Sequence, residues 1–148
     1  MSDIASLSSA QCEDLCAVAA AMIPASEEYR VPGGDDPAIQ ADIVASLGRD
    51  LVLVRWALDA LRQRAGQPLE ALDPARREAL AQELRTTDAA ALAALSRVIL
   101  QCYYRDDRVV LSLGLEPRPP YPKGHVLEDG DWSLLDPVRA RPPLWRRV

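Results

Sequence analysis

The sequence predicts an all-α protein: a small bundle of four to five helices, then a long proline-rich, mostly irregular C-terminal tail. Three observations carry this. Over residues 1–114, apolar residues recur three and four positions apart, the spacing of one face of an α-helix. No run alternates with period two for long enough to make a strand. Seven of the twelve prolines fall in residues 115–148, where a fixed φ and a missing donor exclude a long helix. The 148-residue chain is 49% hydrophobic, enough for a single domain with a real core. Alanine and leucine dominate and phenylalanine is absent, which favours helices packed by small and aliphatic side chains. The chain thus divides into a helical body, 1–114, and a tail, 115–148.

The first helix starts at Ser8, where Ser8 and Gln11 fit a capping box and Leu7 stands before them as a hydrophobic staple. Its apolar face is Cys12, Leu15, Cys16, Ala19, Met22 and Ile23, and Pro24 stops it. Residues 25–35 are polar, contain Pro32-Gly33-Gly34, and read as a loop. The two glycines are no phosphate cradle, since no strand precedes them and acidic neighbours would repel phosphate. Asp36-Pro37 is a cap followed by proline in the first turn, a strong helix start. Apolar residues at 39, 43, 47, 51, 54, 58 and 61 then predict one helix of about seven turns, closed by Gly66 with Pro68 beyond. Gly48 lies inside it, marking a bend or a close crossing, and Trp56 is expected beside the stripe, packed in the core. Asp73-Pro74 repeats the cap-and-proline start of a helix running to about Arg85, with Leu80 and Leu84 inward. Thr86-Thr87-Asp88 opens the next, whose face is Leu92, Leu95, Val98, Ile99 and Cys102. Asp106 or Asp107 then caps a short helix over 108–113, and Gly114 closes it.

Charge and residue usage exclude several classes of function. The net charge is −5, and the body holds the acidic excess, while the tail is close to neutral. No basic face accumulates, so a nucleic-acid partner is not expected. Arg139, Arg141, Arg146 and Arg147 form a small cluster that reads either as solvated charge or as a match for an acidic partner surface. Three cysteines, Cys12, Cys16 and Cys102, give no disulfide framework. Cys12 and Cys16 share a helix face, but no second pair or nearby histidine completes a metal site, and buried free thiols are the better reading. No stretch reaches the apolar length of a membrane span. The start, Met-Ser-Asp-Ile-Ala-Ser, lacks a basic region followed by an apolar run, so no signal peptide is expected. Adjacent acids at 27–28, 35–36 and 106–107 are explained by the positive ends of helices. His125, the single histidine, follows a Lys-Gly turn, and no serine sits in a nucleophile elbow. Catalytic, cofactor-binding and metal-ligating residues are therefore not assigned.

What remains is a surface for contact. Tyr121, Val126, Leu127, Trp132, Leu134, Leu135, Leu144 and Trp145 dot the tail as anchors that dock on a folded surface, either its own body or a partner. Tyr103 and Tyr104 are adjacent on a helix and so point about 100° apart. One can enter the core while the other faces the tail or a partner.

Several of these residues resemble one family. Ala20-Ala21-Met22-Ile23-Pro24-Ala25 ends the first helix. Tyr103-Tyr104-Arg105-Asp106-Asp107-Arg108-Val109-Val110 leads through Leu113-Gly114 to Pro119-Pro120-Tyr121-Pro122-Lys123-Gly124. In this order they resemble the gluconate 2-dehydrogenase subunit 3 family, over most of the chain and by short motifs. The resemblance implies a small, mostly helical, non-catalytic subunit, with no cofactor in this chain. Its partner would be a large FAD-dependent oxidoreductase of the glucose–methanol–choline type, and some such complexes add a cytochrome c subunit. Tyr104, Tyr121, Trp132, Trp145 and Arg146 would make the partner contacts. Family members often carry a twin-arginine export signal. None is visible here, so a cytoplasmic location is expected, with periplasmic co-export beside a signal-bearing partner as the alternative. A stand-alone helical module, binding a small ligand or another protein between its helices, is the alternative function.

Overall fold

The structure, a computed structural model, describes residues 6–117 and 128–142. Backbone contacts divide the chain into two compact units, Met1–Pro117 and Arg118–Val148. Seven α-helices and no strand occur among the described residues, so the all-α prediction holds. Six helices belong to the first unit and the seventh to the second.

Helix α1 spans Ser9–Met22. Ser8 Oγ accepts from the Gln11 amide at 3.2 Å, while Gln11 Oε1 accepts from the Ser8 amide at 3.0 Å, completing the capping box. Helix α2 covers Pro37–Ser46, with the Asp36 carboxylate accepting from the Ala38 and Ile39 amides. Helix α3 covers Leu51–Ala65, α4 Pro74–Thr87, α5 Ala89–Tyr103 and α6 Asp107–Ser112. Asp73, Asp88 and Asp106 cap the last three through their side chains, as an acid at a helix start should. Gly66 and Gly114 close α3 and α6 in the left-handed region, at φ 70° and 74°.

The single long helix expected over 37–65 is in fact two. Gly48 adopts φ 44°, which only glycine takes at low cost, and a 3-10 turn over Gly48–Asp50 separates α2 from α3. The break is hidden in the apolar pattern, because the turn keeps the spacing. Ile39, Ile43, Leu47, Val54, Leu58 and Leu61 are all buried, on both sides of it.

Helix α5 is the centre of the body. It packs on α3 and α2, and α4 covers it from a third side. Leu95, Val98, Ile99 and Cys102 are buried as expected, together with Ala91, Ala94 and Tyr103. Arg97 pairs with Asp50 at 2.7 Å and Arg105 with Asp42, so α5 runs antiparallel to the α2–α3 path. Each fully buried leucine or isoleucine contributes about 1.5–3 kcal/mol. Helix α1 packs on α3 and on the 3-10 turn Leu69–Ala71. Trp56 departs from expectation. It is 44% exposed, one turn beyond the exposed Val52, while the buried positions of α3 are 54, 57, 58, 60 and 61.

Between α1 and α2 the chain folds tightly over its own helix end. The Gly34 amide donates to the Ile23 carbonyl at 2.7 Å, and Gln40 Nε2 donates to the Gly34 carbonyl at 2.8 Å. A Cβ on Gly34 would stand 2.6 Å from the Ala19 carbonyl oxygen, so the glycine is needed for this close approach.

In the second unit, a 3-10 turn over Trp132–Leu135 leads into the four-residue helix α7, Asp136–Arg139. Asp131 starts it by accepting from the Ser133 amide at 3.0 Å. Among the described residues no helix is long and apolar enough to cross a membrane.

Candidate functional site

The C-terminal end of α5 splits two neighbouring tyrosines between inside and outside. Tyr103 is 4% exposed and its hydroxyl donates to the Pro32 carbonyl at 3.0 Å, tying α5 to the loop before α2. Burial pushes its phenol up from the ordinary tyrosine range. Tyr104 is 57% exposed. Its ring meets that of Tyr103 edge to face, with centroids 5.3 Å apart and planes at 90°, a favoured aromatic geometry. The exposed ring thus rests on a fixed one. Leu100, one turn earlier on α5, is also exposed, as are Leu111 and Leu113 after it in the chain.

Two arginines lock the backbone around Tyr104. Arg105 reaches back to α2, where its Nε donates to Asp42 at 2.6 Å and its Nη2 donates to Asp42 and Ser46. Arg108 forks between two carboxylates. It donates to Asp36 through Nη1 at 2.9 Å and Nη2 at 2.8 Å, and to Asp106 through Nε and Nη2, each at 2.9 Å. Asp36 and Asp106 are the caps of α2 and α6, so one guanidinium joins the starts of two helices. Bidentate pairs of this kind add orientation as well as energy. Arg108's hydrogen bonds, helped by the Ala38 and Ile39 amides, hold the Asp36 carboxyl down at about 2. The same guanidinium lowers Asp106, and Arg105 lowers Asp42. Arg108 and Arg105 are raised in return.

A second network, which the spacing of apolar residues did not reveal, joins α1 to α3. Asp14 is 2% exposed, the one buried charged residue among the described positions. It accepts from the Leu69 amide at 3.1 Å and from Arg62 Nε, while Arg62 Nη2 also donates to the Ala10 carbonyl at 3.1 Å. The Asp14 hydrogen bond raises Arg62 above its ordinary value. The only sign in the sequence is an acid set among the alanines and leucines of α1, with arginine available 48 positions on.

Thiol chemistry is disfavoured by burial. Cys102 is buried beside Ser46 and Asp42, and its thiol is pushed up mainly by desolvation. Cys12 and Cys16 are half-buried rather than fully enclosed. Burial, then Asp35 and Glu70, raise Cys16. Among the described residues no cluster of three or more histidine, cysteine, aspartate or glutamate side chains is placed to hold a metal ion.

Of the five residues expected to contact a partner, Tyr104 stands exposed in the first unit and Trp132 in the second, where it is 69% exposed. Leu134 and Val138 near Trp132 are also exposed. Tyr121, Trp145 and Arg146 lie outside the described residues, as do His125 and Leu144. No family model matches the chain, and neither the curated proteins nor the solved structures contain a match to it.

Proposed function

We propose that this chain is a non-catalytic small subunit that binds and supports a large FAD-dependent oxidoreductase of the glucose–methanol–choline type, acting on a sugar or an alcohol. The observation that carries the binding role is Tyr104, an exposed phenol whose ring rests on buried Tyr103 and whose following backbone is tied down by the ion-paired Arg105 and Arg108. Aromatic residues on a preorganised base lose little freedom on association, and they dominate interface energies. The flavoprotein as partner rests on the resemblance of the Tyr103–Gly114 stretch and the Ile23-Pro24-Ala25 turn to the gluconate 2-dehydrogenase subunit 3 family. FAD then belongs to the partner, and Trp132, Tyr121, Trp145 and Arg146 add contacts from the tail. The complex is placed in the cytoplasm, or in the periplasm where a signal-bearing partner exports it folded.

The test is a pull-down of the tagged chain from its native host, with the eluate scanned for flavin absorbance. A haem band in the same scan reports a cytochrome c subunit. Tyr104→Ala is expected to cost about 2 kcal/mol, or roughly thirtyfold in Kd for the flavoprotein, with the far-UV helical signal intact. A pull-down that yields no flavin overturns the partner. Undiminished pairing of the Tyr104 variant overturns the assignment of this face.

A further inference from the structure

A groove runs between α1 and α2, well apart in sequence from Tyr104. Its volume is about 600 Å³, and its walls are Cys12 and Cys16 of α1 and Pro37, Ala41, Val44 and Ala45 of α2. These side chains are small and apolar, so a backbone laid between the helices could approach closely. Residues 37 to 45 extend about 12 Å along α2, a little over two turns of a docked helix. The groove's polar groups are Gln40 and Asp35. Gln40 is already engaged with the Gly34 carbonyl. Asp35 is exposed at the margin and takes part in none of the ion pairs among the described residues.

The two helices that wall the groove carry charged residues of one sign only. Neither α1 nor α2 contains a lysine or an arginine. Over residues 7–48 seven acids face a single base, Arg30. Asp14, Asp36 and Asp42 are neutralised by Arg62, Arg108 and Arg105. Asp35 has no such partner within the described body, and Glu13 reaches Arg62 only at 3.8 Å. Burial first, and then the negative charges of Asp35 and Glu70, oppose formation of a thiolate at Cys16 in the groove wall. An apolar trough with an acidic margin matches the helix-in-groove mode of recognition, with the charge setting orientation.

We propose that the α1–α2 groove docks one short amphipathic helix of a partner protein, its apolar ridge seated on Ala41, Ala45, Cys12 and Cys16 and a lysine or arginine facing Asp35. The groove lies on a different pair of helices from the Tyr104 contact, and it stands whether or not the partner is a flavoprotein. Cys12 and Cys16 line the wall, so their reactivity reports whether the groove is filled. Cys102, buried elsewhere in the same chain, is the internal control.

The experiment measures iodoacetamide alkylation of each cysteine in the full chain by mass spectrometry. The probe is a synthetic helical peptide of about fourteen residues with a leucine ridge and an arginine at one end. Saturable protection of Cys12 and Cys16 by about tenfold is expected, weakened about tenfold in affinity when the arginine is replaced by glutamate. Ala41→Arg, at an exposed position, should abolish protection while leaving the helical signal unchanged. Absence of protection, equal protection by the two peptides, or protection that survives Ala41→Arg overturns the proposal. So does protection that grows with protein concentration alone, which would show a second copy of the chain in the groove.

Discussion

Replacing Asp14 tests the buried link between α1 and α3. Asp14→Asn keeps an oxygen for the Leu69 amide but removes the charge that faces Arg62. A hydrogen bond to a charged group is worth about 1.5–3 kcal/mol net. Arg62 keeps a third of its side chain in water, which softens the loss of its partner, so about 2 kcal/mol is expected. Asp14→Ala also leaves the Leu69 amide without an acceptor, adding about 1–2 kcal/mol for a buried unpaired donor. The assay is urea unfolding followed by circular dichroism. With a slope of about 1.5 kcal/mol/M, the midpoint should fall by roughly 1.3 M for asparagine and about 2 M or more for alanine. The double replacement Asp14→Leu with Arg62→Leu should recover much of the loss, because an apolar pair of similar size avoids desolvating either charge. If asparagine and alanine both cost under about 0.5 kcal/mol at an unchanged slope, the network contributes nothing to stability and the reasoning fails.

Two further outcomes follow from the same geometry. The Asp36 carboxyl is held at about 2, below its ordinary 3.8, so its pairing with Arg108 stabilises the fold fully above pH 4 and is lost as the pH falls through 2. Asp36→Asn preserves the helix cap and removes the ion pair. After discounting for the half-exposed Arg108, it should cost about 1 kcal/mol near pH 6, shrinking below pH 4 to a minor part of that near pH 2, as read from unfolding midpoints across that range. A gap of the same size at both ends would assign the effect to the cap instead. Gly34→Ala places a methyl 2.6 Å from the Ala19 carbonyl oxygen, where both sides are backbone, and should lower stability by about 1–3 kcal/mol. A neutral result would mean that the loop moves off the end of α1 without cost.

Much of the fold was legible because its signals are local. A cap is a side chain meeting an amide two or three residues on, so Ser8, Asp36, Asp73 and Asp88 announce their helices in the sequence itself. Burial on one face of a helix is also local in pattern, which is why Leu80, Leu84, Leu95 and Ile99 were placed correctly inward. The adjacency of Tyr103 and Tyr104 likewise required that one ring turn away from the core.

Other features depend on which elements meet. The apolar pattern runs through the break at Gly48, since a 3-10 turn advances the chain without changing which face is buried; the glycine itself signals a bend or a close crossing, and its positive φ makes that a break between two helices. Trp56 was expected inside because large aromatic residues favour burial, yet it stands 44% exposed on α3. The Asp14–Arg62 link spans 48 positions and the Arg108–Asp36 link 72, and no local rule pairs charges at such separations. The sequence by itself determined the helices, their caps and their inward faces, because hydrogen bonding within a few residues and helical periodicity suffice for these. Tertiary structure alone decided which arginine neutralises which acid, which tyrosine remains outside, and where two helices leave a groove, because each is a matter of packing between residues far apart in the chain.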